Sequence, residues 1–211
     1  MIRATRFALF AACFGTVMTM PLPAGAQTES KAASLHRESY AAEAKKDYAT
    51  ALAKVRDATA IAGPSYFSTM RMAWLFYLAG DFPASVAGYN AAIVAEPKAI
   101  EPKLGLTLPL LAARNWPELE RACHSVLASD AHNVLALARL AQAYYWGGNY
   151  AAAATTYQQL SGDYPADLDY RTGLGWALLK SGRTGEARQI FEWVLAVSPD
   201  NANARAGVAG R

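Results

Sequence analysis

Cysteine and histidine are scarce in this chain, with two of the first and three of the second in 211 residues. Cys13 lies in an apolar leader, so Cys123 stands alone once that leader is removed and no intramolecular disulfide can form. His36, His124 and His132 show no metal-ligand spacing with Asp, Glu or Cys, which leaves no metal site to expect. Charge is sparse and balanced. Removing Arg3 and Arg6 with the leader takes 20 basic residues to 18, against 17 acidic ones, for a net charge of about +1. Nucleic acid and anionic lipid call for a concentrated basic face, so neither is expected as a partner. A phosphate-binding loop is missing too: Gly173-Leu174-Gly175 falls inside a helical pattern and no Gly-Lys-Ser/Thr follows. Glu118 and Glu120 stand at a helix start, where they favour its dipole, and form no acid/base pair. The sequence therefore points to no catalytic residue and no cofactor, and the expectation is a non-enzyme.

Long apolar runs are confined to the beginning. Arg3 and Arg6 make a short basic start, Phe7 to Met20 carries no charge, and Ala24-Gly25-Ala26 offers small residues before Gln27. This is the pattern of a signal peptide over residues 1–26, cut after Ala26. A span needs about 20 apolar residues, and Pro21 and Pro23 interrupt the run, so no integral span is expected in the mature chain. Phe10-Ala11-Ala12-Cys13 has a faint likeness to a lipoprotein box, the alternative. The expectation is an exported, periplasmic protein, with outer-membrane association as the alternative location.

What the chain does have is a period. After a short lead-in over residues 27–31, five units of 34 residues follow without insertion: 32–65, 66–99, 100–133, 134–167 and 168–201. A partial unit or capping helix occupies 202–211. Midway through each unit comes a turn: Lys46-Asp47-Tyr48, Gly80-Asp81-Phe82, Arg114-Asn115-Trp116, Gly148-Asn149-Tyr150 and the divergent Gly182-Arg183-Thr184. Gly and Asn tolerate the left-handed backbone of a helix exit. Gly63, Pro97, Ala131, Pro165 and Pro199 mark a second break in register, and proline stops a helix there. Between breaks, apolar residues recur on one helical face, as with Met72, Ala73 and Phe76 against Leu140, Ala141 and Tyr144. Small residues fill a close-approach column of Ser39, Ala73, Thr107, Ala141 and Gly175.

These columns resemble the tetratricopeptide repeat, whose signature of Leu-Gly, aromatic, Ala, aromatic, Ala and Pro is carried in the fifth unit by Leu174-Gly175, Ala187, Phe191 and Pro199. The resemblance implies an all-α fold, a right-handed solenoid of stacked helix-turn-helix units. One helical hairpin cannot offset the ordering of 34 residues, on the order of 50 kcal/mol at about 1.5 per residue, so neighbours must bury each other's faces. The first unit departs from the pattern with Glu38 and Val55 and reads as a polar-faced end cap. Cys123 shares a column with Tyr89, Tyr157 and Phe191 and reads as core. Pro109 lies inside a predicted helix, where proline costs about 3 kcal/mol; it is either a tolerated kink or a local change of curvature.

The resemblance places a binding groove along the first helix of each pair, and the residues point to the same face. Phe67, Met70, Trp74 and Tyr77 form a stripe distinct from the one that meets the paired helix. Tyr40, Gln142, Tyr145, Trp146 and Trp176 stand in corresponding positions, with Arg71 and Arg139 flanking them. Tyr, Trp and Arg are the types enriched in binding hot spots. The expectation is a non-catalytic scaffold that holds a peptide or helical segment of a partner protein, by analogy within an envelope assembly or a polysaccharide-export complex. A glycan-binding module is the alternative, since aromatic faces also stack on sugars. The carboxylate clamp of chaperone adaptors in the family is not expected, because Met70, Leu104, Ala138 and Thr172 occupy its places.

Overall fold

The structure is a computed structural model that describes residues 24–210. Among these, eleven helices follow one another and no strand occurs. The first five pairs are α1 (Ala24–Ala44) and α2 (Tyr48–Ala62), α3 (Tyr66–Leu78) and α4 (Phe82–Ala95), α5 (Glu101–Ala112) and α6 (Trp116–Leu127), α7 (Val134–Trp146) and α8 (Tyr150–Asp163), and α9 (Leu168–Lys180) and α10 (Thr184–Val197). A short α11 (Ala202–Val208) ends the array. Residues 1–23, with most of the expected leader, lie outside the described residues. The helix α1 runs through the expected cut after Ala26 and takes in residues 27–31, read from sequence as a lead-in.

Local chemistry explains the breaks. The residue that closes the first helix of each pair adopts positive φ: Lys46 at 61°, Gly80 at 80°, Arg114 at 55°, Gly148 at 87° and Gly182 at 83°. The next side chain then caps the second helix. Asp47 accepts from the Thr50 N–H at 3.1 Å, Asp81 from Ala84 at 3.1 Å, Asn115 from Glu118 at 3.4 Å and Asn149 from Ala152 at 3.2 Å. In the fifth unit Arg183 makes no such cap and binds Glu186 through two hydrogen bonds of 2.7 Å instead.

Each pair closes through small residues. A β-carbon at Gly88 would lie 2.8 Å from that of Ala73, so α3 and α4 meet almost backbone to backbone. The core is a chain of local clusters rather than one centre. Val55 on α2 packs with Leu75 on α3, Cys123 on α6 with Leu140 on α7, and Ala153 on α8 with Phe191 on α10. Nearest-neighbour burial of this kind defines a solenoid. The first helices also touch along the array, α3 with α5, α5 with α7 and α9 with α11, which no pair of second helices does to the same extent. They therefore line the narrower, inner side.

Two irregular residues have simple placements. Glu38, in an apolar column of the other units, pairs with Lys54 at 2.7 Å on the surface of the end unit. Pro109 is buried within α5, which continues through it to Ala112. Its nitrogen carries no hydrogen, so the Gly105 carbonyl lacks the usual donor one turn on.

Candidate functional site: two aromatic hollows on the inner helices

The inner face carries its aromatic residues in two groups. At the first junction, α1 and α3 bound a hollow of about 300 Å³ with Tyr40, Glu43, Phe67, Met70, Arg71 and Trp74. Arg71 is buried, 5% exposed, while Tyr40 is half exposed. The guanidinium lies 3.8 Å from the Tyr40 ring centroid, donates to the Ser39 hydroxyl at 3.2 Å and pairs with the Glu43 carboxylate. Trp74 donates its indole N–H to the same carboxylate at 2.8 Å. Glu43 thus ties two helices together, and the sequence did not single it out. Its signal is an acid in the column otherwise held by Tyr77, Leu111, Tyr145 and Leu179. The Nδ1 of His36 and the Nε of Arg71 are buried without a hydrogen-bond partner. Burial, and then the Arg71 charge, hold the His36 imidazole below its ordinary value. Tyr77 continues the stripe, with ring centroids 5.6 Å from Trp74 and 6.3 Å from Phe82.

Between the groups the face is filled by Arg139, which reaches back from α7 to donate to the Leu104 carbonyl at 3.0 Å and to the Thr107 hydroxyl. Gln142, partly buried on the same helix, stands in the column of Trp74. Both arginines expected to flank a ligand therefore make their polar contacts inside the protein.

The second hollow, about 670 Å³, lies between α7 and α9 and is bounded in part by Tyr145, Trp146, Tyr157, Asp169, Trp176 and Lys180. Trp146 is the most open of its aromatic residues, 63% exposed. Its ring stands at 90° to Tyr145 with centroids 5.1 Å apart and stacks at 6.5 Å on Trp116. Trp176 turns an edge to Phe191 at 5.4 Å, so it belongs to the core and the groove together. Burial, followed by the neighbouring Tyr145 and Tyr170 phenols, pushes the Tyr157 hydroxyl up to about 12. The structure thus gathers Tyr40, Arg71, Trp74 and Tyr77 at one end and Tyr145, Trp146 and Trp176 at the other. Arg139 and Gln142 separate the two. Among the described residues no three His, Cys, Asp or Glu side chains come together as a metal site. No described helix is long and apolar enough to cross a membrane.

The tetratricopeptide repeat family model matches residues 138–202 and 172–210. No curated protein matches the sequence. Among solved structures, a tetratricopeptide repeat protein from Parabacteroides merdae superposes with a TM-score of 0.78 at 16% identity, covering 85% of this chain and 72% of that one. MamA from Desulfovibrio magneticus gives 0.74 at 15% identity, over 82% of this chain and 97% of its own. YrrB, described as having an unusual peptide-binding site, gives 0.71 at 10% identity, over 85% and 93%. At such identities the likeness is one of fold. The chain accordingly has the fold of a tetratricopeptide-repeat solenoid, and the family's sequence pattern is matched over residues 138–210, its last third.

Proposed function

We propose that this chain is a non-catalytic scaffold that holds a segment of a partner protein along its inner helices, and that it does so after export, in the periplasm. The observation that carries this reading is the uncovered aromatic surface of the second hollow, where a tryptophan 63% exposed stands beside two further large rings. Exposed rings of this size on a rigid helical wall are what a partner side chain can desolvate with most gain. The fold is that of protein-interaction scaffolds, and the peptide-binding site described for YrrB is a precedent on the same architecture. Export rests on Arg3, Arg6, the apolar run and Ala24-Gly25-Ala26, and an envelope assembly is the setting that export implies.

Two measurements test it. Amino-terminal sequencing of the exported protein should begin at Gln27; an acylated Cys13 at the mature terminus would make the chain a lipoprotein. Crosslinking in the native envelope with mass spectrometry should recover a protein partner that is lost from Trp146→Ala and Trp176→Ala. Recovery of the same partner by both variants would remove the groove from the account, and enrichment of polysaccharide alone would favour a glycan ligand.

A further inference from the structure

Five pairs of positions 16 residues apart, one per junction, vary together along the array: Val55 with Arg71, Tyr89 with Gly105, Cys123 with Arg139, Tyr157 with Gly173 and Phe191 with Gly207. The first member sits on a second helix and the second on the next first helix. Wherever the first is an aromatic ring, the second is glycine. Wherever the first is small, the second is arginine. The reason is volume. A β-carbon at Gly105 would lie 2.2 Å from the Tyr89 ring, at Gly173 2.7 Å from the Tyr157 ring, and at Gly207 2.4 Å from the Phe191 ring. Ring and arginine are alternative ways of filling one slot between repeats.

They leave the inner face in different states. Arg71 and Arg139 carry a guanidinium into it, and apart from the Arg71 Nε the chain partners each one with its own groups: the Tyr40 ring and Glu43 for Arg71, the Leu104 carbonyl and Thr107 for Arg139. At the fourth junction the Tyr157 ring fills the slot and Gly173 contributes no side chain, which leaves the hollow of about 670 Å³ open. Tyr145, Trp146 and Trp176 nonetheless bring rings to its walls, and Asp169 brings a carboxylate. Among the described residues that carboxylate has no ion pair or hydrogen bond, and Asp169 is exposed. Lys180, the basic residue of the hollow, is eleven residues further along α9, about 16 Å at 1.5 Å per residue, too distant to neutralise it.

We propose that this hollow is a subsite for an arginine side chain carried by the partner segment, which supplies from outside the guanidinium that the chain supplies itself at the first and third junctions. The proposal rests on the peptide-groove reading above. Arginine fits better than lysine because a planar guanidinium lies flat on an aromatic face while donating sideways to a carboxylate.

The test uses the full chain and three blocked amino acids, N-acetyl N-methylamides of arginine, of citrulline and of leucine. Citrulline keeps the shape of arginine and removes the charge. Each is titrated to millimolar concentration while the indole N–H resonances of Trp146 and Trp176 are followed. The arginine compound should move both signals, with citrulline and leucine at least about tenfold weaker. Asp169→Asn, an exposed change that leaves the fold in place, should weaken arginine severalfold. The double variant Tyr157→Cys/Gly173→Arg, which copies the Cys123 and Arg139 pairing into the fourth junction, should abolish the response by filling the hollow from within. Equal responses to all three compounds, or an unchanged affinity in Asp169→Asn, would overturn the arginine assignment and leave an apolar peptide groove standing. Silence at both indoles with all three would overturn the subsite, while the crosslinking experiment judges the groove independently.

Discussion

The Tyr157 ring and Gly173 are in contact across the fourth junction, and a β-carbon at Gly173 would sit 2.7 Å from the ring's Cε1. The same relation, with the opposite filling, joins Cys123 to Arg139, whose guanidinium partly offsets the burial that pushes the Cys123 thiol up. Swapping one partner alone should therefore cost stability and swapping both should restore much of it. Cys123→Tyr overpacks against Arg139 and should lose about 1–3 kcal/mol. Adding Arg139→Gly should recover at least about 1 kcal/mol of that loss, a coupling readable by urea denaturation of the four proteins. Strict additivity would mean that the two columns do not share a slot.

The helix exits offer a gain. Arg114 holds φ at 55°, where glycine stands in the second, fourth and fifth units. Arg114→Gly relieves that strain and should stabilise by about 0.5–1 kcal/mol, while Gly148→Ala should destabilise by a similar amount. Urea midpoints of the two variants check both signs. A less stable Arg114→Gly would show that the entropy of the unfolded chain outweighs the relief.

Glu43 accepts from Arg71 and from Trp74. Glu43→Ala leaves a buried guanidinium without its counter-charge and should cost about 3 kcal/mol. Arg71→Leu/Glu43→Ala, which removes the charge as well, should cost less than Glu43→Ala alone. The reverse order in thermal melts would assign Arg71 a separate supporting role.

How much was legible in the sequence follows from range. The repeat and the turn tripeptides depend on neighbours within a few residues, and the all-α solenoid that they imply is the fold observed; the Asn read as a left-handed exit residue instead caps the second helix. The column of Tyr40, Trp74, Gln142 and Trp176 was also visible. Its division into two hollows was not, because that depends on what fills each slot from the preceding unit. Arg71 and Arg139 turn inward beside small Val55 and Cys123, a relation 16 residues long that reads as nothing until helix positions are known. Glu43 escaped notice because its partners lie 28 and 31 residues away. Trp176 read as a groove residue, and its edge on Phe191 came only with the packing.

Alkaline stability reports on the slots directly. Burial pushes the Cys123 thiol from 9.0 up to about 12, and the Tyr89 and Tyr157 phenols from 10.0 up to about 12. These groups ionise first in the unfolded chain, so the stability they confer is complete below pH 9 and is lost as pH rises toward 12. Urea midpoints should hold from pH 7 to 9 and fall by pH 11, and Tyr157→Phe should lessen the fall. A flat profile to pH 11 would mean that water reaches these hydroxyls.

The most direct test of the account separates binding from folding at one residue. Trp146 is the groove aromatic least committed to the core, whereas Trp74 is tied to Glu43 and Trp176 to Phe191. The measurement is the affinity of Trp146→Ala for the crosslinked partner, taken beside its stability and that of Tyr157→Ala and Phe191→Ala. Trp146→Ala should lose about 2 kcal/mol or more of binding, roughly thirtyfold, with stability changed by about 1 kcal/mol at most. The two core variants should lose roughly 3–5 kcal/mol of stability. Unchanged affinity in Trp146→Ala, with a stability loss in the range of the core variants, would contradict it.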